Sequence, residues 1–124
     1  MTRKALIGIF ALVATVHAAD ISGTWSGPAV MKHGDETRDD SAYLVLKQAG
    51  NTISGTVGPN QEKQLPITKG TIEGNAIYIE AVVEGENKLV LRLKLDEGKL
   101  IGELKAEGPN PPPVSGKMTL SKDN

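Results

Sequence analysis

The chain contains no cysteine. No disulfide can staple it, no thiolate can act as nucleophile or soft metal ligand, and no lipid can be carried on a cysteine. Aromatic residues make up only 3% of the 124 positions: Phe10, Trp25, Tyr43 and Tyr78. That is too few for a stacking platform for bases or sugars. A basic excess is missing as well. Fourteen Lys and Arg face fifteen Asp and Glu, so the net charge of −1 offers no footprint for a phosphate backbone and no nucleic-acid partner. What the chain has instead is 39% hydrophobic and 23% charged residues, with fourteen glycines and seven prolines. This is the composition of one globular domain with many turns.

Residues 1–18 read as a cleaved secretory signal peptide. Arg3 and Lys4 form a positive start, residues 5–16 are apolar, and Val16 and Ala18 are small residues before a cut. The apolar run is shorter than the roughly 20 residues of a membrane span. Cleavage after Ala18 would leave 106 of the 124 residues, with twelve basic against fifteen acidic groups and a net charge of −3. The expected mature domain, residues 19–124, is periplasmic or extracellular, has no membrane span, and keeps His33 as its one imidazole. Without disulfides it must stand on its apolar core.

From residue 20 onward the hydrophobic period is two. Leu89, Leu91, Leu93 and Leu95 alternate with Lys88, Val90, Arg92 and Lys94. The same alternation puts Ile77, Ile79, Ala81 and Val83 on one face, and likewise Leu100, Gly102, Leu104 and Ala106. Val114, Gly116, Met118 and Leu120 follow suit, as do Ala42, Leu44 and Leu46, then Ile53, Gly55 and Val57. Ile21, Gly23, Trp25 and Gly27 make the first inward face, and residues 28–40 read as a charged loop. Leu65 and Ile67 are out of phase with Ile72, which predicts a bulge at Lys69-Gly70. Gly50-Asn51 and Gly74-Asn75 mark two-residue hairpin turns, and Asp96-Glu97-Gly98 a three-residue one. No repeat and no helical period is visible. The fold class is all-β: an antiparallel up-and-down meander of about eight strands. A two-layer sandwich is the alternative, but consecutive hairpins favour closure into a small barrel, which also removes sheet edges.

Gly23-Thr24-Trp25 on the first strand resembles the Gly-x-Trp signature of the calycin superfamily, which includes lipocalins, fatty-acid-binding proteins and avidins. The phrase from Asn51 to Thr56 is similar to the strand turns of avidin-like barrels. The resemblance implies a barrel plugged at one end by Trp25, with a basic residue of the last strand, Lys117 or Lys122, across it. It departs from the family in its ligand chemistry. An avidin-like biotin site needs several tryptophans, and Arg92 and Tyr43 lie on outward faces, where a fatty-acid site needs them inward. The lipocalin helix has no counterpart either. The chain thus resembles a small bacterial secreted barrel of lipocalin-like shape.

No catalytic constellation emerges. His33 lies in the 28–40 loop with nothing to orient it, and reads as a solvent-exposed histidine. His33, Asp35, Glu36, Asp39 and Asp40 crowd that loop but lack a calcium-loop spacing, and Lys32 and Arg38 partly neutralise them. They read as a solvated charged loop, so no metal and no cofactor is expected. Glu80, Glu103 and Glu107 face outward and form no carboxylate pair. Residues 109–113, rich in proline, read as a stiff connection between the last two strands.

The inward residues are aliphatic, with no polar group placed among them. Strands of about eight residues span about 26 Å. Bulky leucines favour a filled interior, and Gly55, Gly102 and Gly116 are where space for a ligand is expected. The expected function is that of a non-enzymatic, monomeric binding module for a small hydrophobic ligand. Its candidate contact residues are Trp25, Leu44, Leu46, Ile77, Ile79, Leu91, Leu93 and Met118. The alternative is a protein-interaction domain with a solid core, its partner an exported protein.

Overall fold

The computed structural model describes residues 20–123, so the expected signal peptide, residues 1–18, lies outside the described residues. The strands are β1 (Gly23–His33), β2 (Glu36–Ala49), β3 (Thr52–Gly58), β4 (Leu65–Pro66), β5 (Lys69–Glu73), β6 (Ala76–Glu84), β7 (Asn87–Asp96), β8 (Lys99–Glu107) and β9 (Val114–Lys122). Every pairing is antiparallel, and β9 returns to β1, so eight strands close into a meander barrel. The two-residue β4 is an addition, paired to the end of β3. The seam is narrowest between β3 and β5. There Thr52 bridges Thr71, supported by Ile72 N–H donating to the Asn51 carbonyl at 3.0 Å.

The turns follow from residues that tolerate positive φ. Gly50 and Gly74 stand at φ 62° and 61° in the two expected hairpin turns. The β7–β8 loop is tighter than expected. Asp96 pairs with Lys99, leaving only Glu97 and Gly98, both at positive φ.

Burial follows the alternation over most of each strand. Leu44, Leu46, Ile77, Ile79, Leu91, Leu93, Leu100, Met118 and Leu120 are all buried on the inner face. Each such aliphatic side chain is worth about 1.5–3 kcal/mol when fully withdrawn from water. Three local expectations are overturned. Residues 28–40 are not a loop: β1 and β2 run on as a long hairpin to a two-residue turn, His33 pairing with Glu36. The phase break falls at Ile67-Thr68 rather than at Lys69-Gly70. Ile67 N–H still bonds to Gly55 on β3, whereas Thr68 N–H bonds to Glu80 on β6, so the chain changes partner there. Val83 is exposed, because an irregularity between Val82 and Glu84 takes it off the inner face.

The outer wall carries a cross-strand polar network. The Tyr78 hydroxyl donates to Glu80, and Lys88 bonds to the other Glu80 oxygen at 3.1 Å. Arg92 lies over the Tyr78 ring, 5.5 Å from its centre, and pairs with Glu107 at 2.9 Å. The Tyr78 bond and then the Lys88 charge hold the Glu80 carboxyl below its usual range, and the same bond raises the Tyr78 phenol.

Candidate functional site

The two ends of the barrel differ. At the end where β1 begins, Trp25 is 3% exposed, and its indole N–H donates to the Ile21 carbonyl at 2.9 Å. Lys122 pairs in register with Trp25, and its Cε lies 2.6 Å from where a Cβ on Gly23 would stand. Gly23, at φ 136°, therefore makes room for the lysine stem across this end. Trp25, Leu46, Ile77, Ile79 and Leu93 belong to the packed core and do not line the cavity at the other end.

At that other end a cavity of about 450 Å³ remains. It is bounded by Ala29, Met31 and His33 of β1, Ala42 and Leu44 of β2, and Val57 of β3. Leu89 and Leu91 of β7, Leu104 of β8, and Val114 and Met118 of β9 complete the wall. Of the eight candidate contact residues, Leu44, Leu91 and Met118 meet there. The space exists because β1 and β2 put the small side chains Ala29 and Ala42 on the inner face. The glycines expected to provide it do not border it. A Cβ on Gly55 would come within 1.9 Å of the Val45 carbonyl oxygen, so that glycine serves close strand approach instead.

The segment from Pro59 to Gln64 makes one side of the mouth. Asn60 Oδ1 accepts the Glu62 and Lys63 amides, each at 2.9 Å, and the Ser41 hydroxyl ties the Pro59 carbonyl to β2 at 2.8 Å. Gln64 Nε2 donates to the Tyr43 and Asn60 carbonyls at 3.0 and 2.7 Å. Its Oε1 is buried and has no protein partner, and the same holds for His33 Nδ1. His33 is therefore not the exposed loop histidine expected. It ends β1 in the inward phase of Ala29 and Met31, half-buried against the cavity. The sequence pattern places neither polar group inside. His33 was legible by extending the odd-numbered alternation past Pro28. Gln64 lies in a segment without period and gave no signal.

Asp40, Ser41 and Lys63 stand exposed at the rim. The acids of the hairpin do not converge: Asp39 pairs with Val30 and Asp40 with Ala29, so strand alternation sends them to opposite faces. Among the described residues no three His, Asp or Glu side chains come together as a metal site. The proline-rich connection is held at this end by Asn87, whose Nδ2 donates to the Asn110 carbonyl at 2.9 Å while its Oδ1 accepts the Asn110 amide at 3.2 Å. The Gly34 amide bonds to the Pro113 carbonyl at 2.8 Å, joining the same connection to the β1–β2 hairpin. No protein-family model, curated protein or solved structure matches the chain.

Proposed function

We propose that the protein is an exported, non-enzymatic binding module that takes a small hydrophobic molecule into the open end of its barrel. The observation that carries this reading is the cavity of about 450 Å³ walled by Leu44, Leu91, Leu104 and Met118. Small-molecule sites span about 300–1,000 Å³ and are mostly apolar with a few polar groups, the character found here. Export rests on residues 1–18. A place among the calycins, near the lipocalins, is supported by the closed barrel and by Trp25 sealing the end opposite the cavity.

The test is a titration of the purified chain with the apolar dye N-phenyl-1-naphthylamine. Saturable, single-site binding is expected, and Ala42→Phe, which pushes a ring into the cavity, should abolish it while the chain still melts cooperatively. No saturable binding by the parent chain would sink the reading. A second reading, a contact domain for an exported protein, is favoured by Val30 and Ile101, which stand exposed and border one groove on the outer wall.

A further inference from the structure

Four of the five large hydrophobic side chains exposed among the described residues gather in two places. Val82 and Val83, 48% and 40% exposed, lead into the β6–β7 turn. From Val82 to Glu86 every residue is exposed, and the turn carries Glu84 and Glu86. β5 pairs with β6 only as far as Glu80, so this tip is paired on its β7 side alone. Its base is firm, because Glu84 pairs with Asn87, which is buried and bonded twice to Asn110. A tip held in this way loses little freedom when it docks.

Val30 and Ile101 form the second place, on the outer wall. There β9 lies between β1 and β8, and its outward Ser115 and Thr119 are small. The larger side chains of β1 and β8 wall a groove along β9. Its walls stand two strand spacings apart, about 10 Å, room for one extended segment. Val30 and Ile101 give the groove its apolar end, and Lys32, Lys105 and Lys117 line the rest against one carboxylate, Glu103. Among the described residues the ion pairs are Lys88–Glu80 and Arg92–Glu107, so neither the three lysines nor the two tip glutamates belong to one. Tip and groove thus each join two exposed aliphatic residues to unpaired charge, and the charges have opposite sign. The spacing is alike too: Val82 and Glu84 are two residues apart on β6, as Val30 and Lys32 are on β1.

We propose that the groove is a docking site for a second copy of this chain, the Val82–Glu86 tip of one copy seating in the β9 groove of the next. Val82 and Val83 cover Val30 and Ile101, while Glu84 and Glu86 meet Lys32 and Lys105. Apolar cover supplies affinity, and charge sets partner and register. β7 and β8 separate the tip from the groove of its own chain, so the contact forms between copies. Tip and groove are different surfaces, which makes the contact heterologous. One hairpin tip buries less than the about 1,000 Å² of a stable interface, so the dissociation constant is on the order of 0.1 mM. The contact does not depend on what the cavity holds.

The experiment is sedimentation equilibrium of the purified chain from about 0.01 to about 1 mM, a range that brackets that constant. The average mass should climb above that of one chain, and added salt should weaken the association severalfold. Glu84→Lys with Glu86→Lys in one chain, or Lys32→Glu with Lys105→Glu in another, sets like charge on tip and groove and should weaken it at least about tenfold. Mixing those two variants restores opposite charge at both possible contacts and should bring association back. Glu73→Lys with Glu97→Lys makes the same change in net charge at exposed turns of the other end and should leave the parent's association intact. Val82→Ser with Val83→Ser should weaken it without touching charge. All these positions are exposed, so each variant should melt like the parent. A single-chain mass across the whole range overturns the proposal. So does association that survives both tip and groove reversals, that the mixture fails to restore, or that the control variant loses equally.

Discussion

Replacing Trp25 by alanine probes the closed end of the barrel. The indole is 3% exposed, so nearly all of its surface is withdrawn from water. A buried tryptophan hides about 150–250 Å², which at about 25 cal/mol per Å² corresponds to about 4–6 kcal/mol. The alanine keeps a Cβ and the neighbours relax in part, so the expected loss is about 3–5 kcal/mol. In a domain of this size each kcal/mol moves the melting midpoint by about 4–8 °C, which sets the expected fall at about 12–40 °C. Trp25→Phe separates packing from hydrogen bonding. It keeps most of the ring but removes the donor to the Ile21 carbonyl, and the orphaned carbonyl costs about 1–3 kcal/mol. Thermal unfolding followed by far-UV circular dichroism measures both. Trp25 is the one tryptophan, so the parent's emission reports this site alone, and it should be blue-shifted and poorly quenched by iodide. Water-like emission with free quenching, or an alanine variant melting within about 5 °C of the parent against the fall derived above, would refute the plug.

Leu91→Asp puts a carboxylate on the inner face at a position 1% exposed, and should prevent folding, seen as loss of a cooperative melt. Its neighbour on the opposite face, Arg92→Glu, should leave folding intact and move the midpoint by a few degrees at most, because the Glu107 pair is exposed. Asn87→Ala removes both bonds to Asn110 and should cost about 1–3 kcal/mol, with faster amide exchange in the 108–113 connection. The Glu80 carboxyl is held below its usual range in the folded chain, so the stability it contributes is complete above the ordinary carboxylate range and lost as pH falls through the lowered value. Tyr78→Phe removes the largest cause of that shift, and should flatten the acid limb of a plot of melting temperature against pH. An unchanged limb would mean that the outer-wall network is not felt.

Fold class was legible because alternation is a property of each strand by itself. Leu89 to Leu95, or Leu100 to Ala106, can bury one face and wet the other only as strands, and Gly50 and Gly74 make the reversals that set neighbours antiparallel. The same logic placed Trp25 inside. It failed where the strands outrun the packed core. From Pro28 to Asp40 the hairpin is half cavity wall and half solvent face, so only Ala29, Met31 and His33 carry the inward phase, and charged neighbours hide it. The tertiary structure alone decided three things. The closure of β3 on β5 rests on one bridged pair and a few bonds between strands that a crossing segment separates. The change of partner at Ile67-Thr68 follows from that closure. The cavity is the volume that the closed wall encloses minus the volume of the side chains that fill it. That difference depends on how Ala29, Ala42 and the 59–64 segment meet in space, and a period along one strand carries no record of it.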